Sequence, residues 1–219
     1  MTLVSCGCSF SKDDFAGVPT PSYGRILAEQ LGLDFINLAI SGASNYFIAK
    51  QVEHAITLTP SIVIIGITTP LRYDLVGDKL EFISRRPNYT DFNLVYDSYL
   101  PDKIHSKSKH WFKNRNTEII DMLLNCTNFQ IKQDQDLFCI LGSCFLLRES
   151  NIPFILINFG DEVNEIKLTD RTYYLPYSQL AKRYPLPDSV EQEKLHFNAQ
   201  GHEFVAKMLR PDVRFQSLR

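Results

Sequence analysis

Thr2-Leu3-Val4-Ser5-Cys6-Gly7-Cys8-Ser9-Phe10-Ser11 opens the chain, and the change of character inside this stretch sets the architecture. Thr2 to Ser5 is mostly apolar without polar alternation, as a strand covered on both faces is. The residues after Ser5 are mostly small, with Gly7 and Ser9 where a chain leaving a strand must turn. Three later runs share the strand's character: Phe35 to Ala39, Ile62 to Ile67 and Phe154 to Asn158. Ser22 to Leu31 lies between the first two strands, with Tyr23, Ile26, Leu27 and Leu31 at helical spacing and Gly32 as the stop. Ser44 to Leu58 lies between the second and third. There Ile48, Val52, Ala55 and Ile56 make one apolar stripe, and Pro60 blocks continuation.

A strand-helix-strand-helix-strand order predicts right-handed parallel crossovers. The expected class is therefore α/β, a three-layer α/β/α sandwich built on a flavodoxin-like parallel sheet. Residues 117–150 read as one or two helices broken near Asn125 to Asn128. Ala199 to Leu209 reads as a last helix, with Phe204, Val205, Met208 and Leu209 on one face and Asn198 as its cap. Tyr73 to Arg115 fits neither period and is expected to be an insertion over the sheet edge. A length of 219 residues suits a single domain over 1–219, with that insertion at about 73–115.

Composition excludes more than it selects. Hydrophobic residues at 44% and charged residues at 22% are ordinary globular usage, so disorder and fibrous architectures are set aside. A formal charge of -2 gives no global reason to expect nucleic acid or an anionic membrane as partner. No apolar run approaches the roughly 18 residues of a spanning helix. The first residues lack the basic start and apolar run of a signal peptide, which makes the cytoplasm the expected compartment. Cys6, Cys8, Cys126, Cys139 and Cys144 are an odd set in a chain of this size and are expected to be reduced thiols. Oligomeric state is not readable from these features.

In an open parallel sheet the crevice lies beyond the carboxyl ends of the strands. Three junctions there are small and polar: Ser5 to Ser11, Ser41-Gly42-Ala43-Ser44-Asn45, and Gly66-Ile67-Thr68-Thr69-Pro70-Leu71-Arg72. Near the end of the chain, Glu193-Lys194-Leu195-His196 precedes the last helix and can bring a carboxylate and an imidazole to the same crevice. A serine hydroxyl is a poor nucleophile until a base within about 2.6 to 3.2 Å takes its proton. Ser9 and His196 are the candidates for that pair. An imidazole works best when a carboxylate fixes its tautomer, the role assigned to Glu193, with Asp188 and Glu191 as substitutes. The oxyanion of an acyl transfer needs preorganised donors, for which the backbone N–H groups of Ser9 and Gly42 are suited.

Gly7-Cys8-Ser9-Phe10 beside the N-terminus resembles the first block of the SGNH (GDSL-like) hydrolases, in which a serine ends the first strand. Gly42 resembles the glycine of the second block, and Glu193-Lys194-Leu195-His196 resembles the Asp-x-x-His block, with Glu in the acidic position. The likeness runs from residue 3 to residue 209, and its specificity lies in the order of these short motifs relative to the strands. It implies a serine esterase that acts on an acyl or acetyl ester through a covalent acyl-serine, with no cofactor and no metal. In that family a side-chain Asn after the third strand completes the oxyanion hole. Here Gly66-Ile67-Thr68 puts Thr at the matching place, so Asn45 becomes the candidate amide and Thr68 a weaker donor. Asn45 equally fits a helix cap.

Several residues admit purely structural roles. Cys6 and Cys8 could suggest a metal clip, but no second ligand pair completes a tetrahedral site, so they are read as packing residues. His202 is expected at the surface. Arg72 is read as a contact for an anionic substrate group, against simple pairing with Asp74. The basic run Lys103, Lys107, Lys109, Lys113 and Arg115 reads as a solvated loop. Tyr89, Phe92, Tyr96, Tyr99 and Trp111 in the insertion favour a carbohydrate ester, since aromatic faces pack on sugar rings. A flavin or nucleotide site is disfavoured because no Gly-rich phosphate loop follows strand one. The remaining alternative is a catalytically silent relative that binds a ligand or a partner protein in the same crevice.

Overall fold

The computed structural model describes residues 1–13, 20–41, 43–68, 72–74, 93–95, 129–160, 171–186 and 196–216. Strands β1 (Thr2–Cys6) and β3 (Ile62–Ile67) form where the apolar runs place them, whereas β2 (Asp34–Asn37) begins one residue before the Phe35 to Ala39 run, ends two residues short of it and is only partly covered because it is an edge strand. A short antiparallel ribbon comes next, β4 (Arg72–Asp74) with β5 (Asn93–Val95). Strands β6 (Phe154–Asn158) and β7 (Thr172–Tyr174) complete the set. The main sheet runs β2-β1-β3-β6-β7 and every pair in it is parallel. All residues of β3 and β6 are buried, as unbroken β-branched and apolar runs require in the middle of such a sheet.

Helix α1 (Tyr23–Leu31) starts on Ser22, whose side chain accepts from the Arg25 N–H. It ends on Gly32 at φ 65°, and Leu33 N–H then reaches back to the Ala28 carbonyl at 2.9 Å, a Schellman closure that needs the left-handed residue. Helix α2 (Asn45–Thr57) buries Ile48, Val52 and Ala55, the stripe read from the sequence. Helix α3 (Phe129–Glu149) leads into β6, and α4 (Tyr177–Arg183) follows β7. Helix α5 (Ala199–Gln216) closes the fold. The α1 and α5 helices pack together, as do α2 and α3, so the sheet lies between two helical layers.

Three further features differ from the sequence expectation. The stretch beginning near Tyr73 contains the β4–β5 ribbon, whose three-residue strands are too short to show a period. The last helix runs on past Leu209 through Pro211, because Val213 continues its buried face. The β7 strand and α4 leave no periodic signal for the same reason of length, at three and seven residues. The break expected near Asn125 to Asn128 lies outside the described residues. Among the described residues, no helix is long and apolar enough to cross a membrane.

Candidate active site

Chain order reverses direction in the sheet between β1 and β3, since β2 lies on one side of β1 and β6 lies beyond β3. A crevice is expected there, past the carboxyl ends of the two strands. Ser9 stands at this point. It begins a single 3₁₀ turn, Ser9–Ser11, closed by the Ser11 N–H on the Cys8 carbonyl at 3.0 Å.

The approach to Ser9 is gripped from several sides. Gln51 on α2 is buried and holds the Gly7 residue at both ends, accepting from its N–H at 2.7 Å and donating to its carbonyl at 3.1 Å. Ser11 fills the space that Gly7 and Gly66 leave. A Cβ at Gly7 would meet Ser11 Oγ at 2.3 Å, and one at Gly66 would meet it at 2.5 Å. Ser11 Oγ shares a 2.7 Å hydrogen bond with the buried Tyr23 hydroxyl. Asn37, the last residue of β2, donates to the Ser11 carbonyl at 3.0 Å and to Asp13 at 3.2 Å. Asp13 also accepts from Ser22 N–H and from Arg25, each at 2.8 Å. Partial burial raises the Asp13 carboxyl, but the donors Arg25, Ser22 and Asn37 outweigh it and hold the group below the usual carboxylate range.

His196 arrives from the other end of the chain. An antiparallel bridge between Pro185 and Phe197 fixes the segment before α5. Asn198 adds two bonds to the same edge, its N–H to the Tyr184 carbonyl and its side chain to the Pro185 carbonyl, both at 2.9 Å. Its Oδ1 accepts from Gly201 N–H at 3.2 Å, the helix cap expected of this residue. The imidazole lies against Phe10, with ring centroids 4.7 Å apart, and Phe10 packs in turn on Phe159, Tyr177 and Phe197. In this setting His196 Nε2 is 2.8 Å from Ser9 Oγ. That is the distance at which an imidazole can take a hydroxyl proton.

The structure gives Asn45 other partners than an oxyanion. Its Nδ2 donates to the Thr68 carbonyl at 2.9 Å and to the Asp136 carboxylate at 3.2 Å, while its Oδ1 accepts from Thr68 N–H at 2.9 Å. Both amide N–H bonds are thus directed within the protein, and Asn45 clasps the end of β3 to α2 and α3. The capping role falls to Ser44, whose hydroxyl accepts from Phe47 N–H at 3.1 Å. Asn45 is the first helical residue, one position too late to cap. The capping expectation for Asn45 is corrected by its place inside the helix, and its reciprocal bonding with Thr68 is one a sequence cannot display because the partners are 23 positions apart.

Thr68 is buried at the end of β3, and its hydroxyl has no hydrogen-bond partner among the described residues. Arg72 begins β4, with its side chain outside the described set. Gly42, Glu193, Glu191, Asp188 and the aromatic and basic residues of the insertion also lie outside it. His202 is buried, not at the surface. Its Nδ1 accepts from Tyr23 N–H at 3.3 Å and its ring lies between Tyr23 and Phe197. Burial drives its pKa down to about 4, against the opposing pull of Asp13. Cys6 and Cys8 are buried free thiols, as packing residues are. Among the described residues no group of His, Cys, Asp or Glu is arranged to hold a metal ion. The sequence expectation misses Gln51 and Tyr23 as supports of Ser9; a polar Gln on the buried side of α2, one residue before Val52, is the available signal.

No protein-family model matches the sequence, and no curated protein matches it. Solved structures do share the fold. An acetyl xylan esterase, AlAXEase, is 16% identical with a TM-score of 0.50, covering 97% of this chain and 100% of its own. The psychrotrophic esterase EstA from Pseudoalteromonas sp., in a structure inhibited by monoethylphosphonate, is 8% identical with a TM-score of 0.50 over 100% and 99% of the two chains. A protein assigned to the G-D-S-L family from Desulfitobacterium hafniense DCB-2 is 11% identical with a TM-score of 0.49 over 96% and 98%. The α/β/α sandwich is thus one that esterases use, and the chain spans it end to end.

Proposed function

We propose that this protein is a serine ester hydrolase in which Ser9 attacks the substrate carbonyl and His196 is the general base. The 2.8 Å contact between Ser9 Oγ and His196 Nε2 is the observation that carries the reading. The base role requires the neutral tautomer with its proton on Nδ1, so that Nε2 accepts. As Oγ bonds to the carbonyl carbon, its proton passes to Nε2, and the carbonyl oxygen takes the negative charge. Return of that proton to the leaving alkoxide releases the alcohol and leaves an acyl-serine. Water, deprotonated by the same nitrogen, then frees the acid.

The oxyanion donors in this proposal are the N–H groups of Ser9 and Gly42. Ser9 N–H precedes the first bonded turn position, so the turn does not consume it. Asn45 contributes indirectly, by tying Thr68 at the end of β3 to the start of α2. Glu193 is the proposed orienting acid. The substrate class proposed is a small acyl or acetyl ester, with a carbohydrate ester favoured by Tyr89, Phe92, Tyr96, Tyr99 and Trp111, and with Thr68 and Arg72 near its bound position.

Hydrolysis of a nitrophenyl acetate by the wild type, Ser9→Ala and His196→Gln tests the reading. Saturable turnover in the wild type and loss of about 100-fold or more in each variant is expected. Equal rates in all three would remove Ser9 from any reaction and leave the crevice as a binding site.

A further inference from the structure

His202 on α5 is buried, and the chemistry proposed for the site does not use it. It stands between the two halves of that site. Toward the start of the chain, its Nδ1 accepts from Tyr23 N–H at 3.3 Å. Tyr23 is the first residue of α1, so its N–H is one of the donors that a helix cannot satisfy from within. The Tyr23 hydroxyl in turn shares its 2.7 Å bond with Ser11 Oγ, and Ser11 N–H closes the turn that Ser9 begins.

Toward the end of the chain, the same ring packs on Phe197, with centroids 4.5 Å apart. Phe197 adjoins His196 in sequence and is stacked on Phe10, the ring against which the His196 imidazole lies. Gly201 secures this contact. A Cβ there would meet Phe197 Cβ and Cδ2 at 2.8 Å, so the α5 backbone comes against Phe197 only because Gly201 has no side chain. A phenylalanine in place of His202 would fill similar space between Tyr23 and Phe197 without the cost of desolvating a polar ring. What the imidazole adds is an acceptor for Tyr23 N–H. Burial keeps the ring neutral down to about pH 4, so at neutral pH Nδ1 accepts and the ring proton is on Nε2.

We propose that His202 is a positioning residue for the Ser9 and His196 pair. Its imidazole holds the Tyr23 backbone on one side and the Phe197 ring on the other, and so sets the nucleophile turn and the base segment at a fixed separation. Ser9 and His196 sit on segments 187 positions apart. A hydroxyl must stay within about 2.6 to 3.2 Å of the imidazole to give up its proton. A side chain that ties both segments to α5 therefore governs that gap. The effect on turnover rests on the hydrolase reading; the effect on the hydrogen bond between Ser9 and His196 does not.

Two variants each keep one of the two contacts. His202→Phe retains a ring on Phe197 and loses the acceptor, whereas His202→Asn offers Oδ1 to Tyr23 N–H and loses the ring. With nitrophenyl acetate, each is expected to lower kcat about tenfold with KM within about twofold of wild type, because a small misplacement of the pair slows the chemical step and leaves binding alone. Urea midpoints are measured alongside. A lowered midpoint with kcat unchanged in the folded variants overturns the proposal and leaves His202 as packing. Nuclear magnetic resonance of the His196 ring reads the same point without substrate: in His202→Phe the Nε2 resonance is expected to move as its hydrogen bond with Ser9 lengthens. Equal turnover by wild type and Ser9→Ala would overturn the hydrolase reading alone. In that case an unmoved His196 resonance overturns the positioning role as well, and a moved one upholds it.

Discussion

Ser9 and His196 are 187 positions apart in the chain, yet their side chains share a 2.8 Å hydrogen bond. Each is held by a different part of the fold. Ser9 is carried just past the end of a central strand, and His196 is set by the bridge that precedes the closing helix. The expected consequences concern the supports as much as the pair.

Gln51 is the first of these supports. Replacing it with Leu leaves the Gly7 N–H buried without its acceptor, while the Gly7 carbonyl keeps a bond from Ile40 N–H at 3.0 Å. A stability loss of about 1–3 kcal/mol is expected, visible as a lower midpoint in urea. On the proposed function, kcat for nitrophenyl acetate should fall more than KM changes, because the displaced peptide lies two residues before the proposed nucleophile. An unchanged midpoint would show that the clamp contributes nothing.

Phe10 supports His196 by contact. Phe10→Ala removes a buried ring that meets four aromatic neighbours and is expected to cost about 3–5 kcal/mol. Phe10→Leu keeps most of the volume and separates the two roles. Thermal unfolding should shift modestly, whereas ester turnover should drop about tenfold as the imidazole loses its platform.

Gly7 and Gly66 are space requirements set by Ser11. Gly7→Ala is expected to destabilise by about 1–3 kcal/mol, since its Cβ would sit 2.3 Å from Ser11 Oγ and 2.7 Å from Ser11 Cβ. Ser11→Gly in the same chain should recover much of that loss. Failure of the second change to compensate would place the cost elsewhere.

His202 makes stability depend on pH. Its folded pKa, near 4, lies below the unfolded value of about 6.5, so the unfolded chain binds the proton first. Nothing is lost above about pH 6.5. Stability should fall as pH drops from about 6.5 to about 4 and the effect should then level off, at a total on the order of 3 kcal/mol. Asp13 acts in a separate window, because its lowered pKa gives stability that is lost only as pH falls through the carboxylate range. Urea midpoints of the wild type and His202→Gln between about pH 7 and 4 check this: the variant should be flatter.

The order of the layers is readable because it rests on strong local signals. Ile62 to Ile67 has one interpretation as a central strand, and Ser22 and Gly32 mark both ends of α1. The Ser9 and His196 pair is readable because both stand where strand ends and helix starts meet the crevice. The features that stay hidden are reciprocal or short. Asn45 and Thr68 satisfy each other across 23 positions, β7 and the β4–β5 ribbon are three-residue strands, and His202 looks like any helix histidine until Tyr23 and Phe197 enclose it.

The central claim is that His196 activates Ser9, and covalent labelling reads this without knowledge of the substrate. Intact-protein mass spectrometry after exposure to a fluorophosphonate should show a single adduct on wild-type protein, mapped to Ser9. It should appear about 100-fold more slowly in His196→Gln and be absent in Ser9→Ala. Adduct formation elsewhere, or at the same rate with and without the imidazole, would contradict the account.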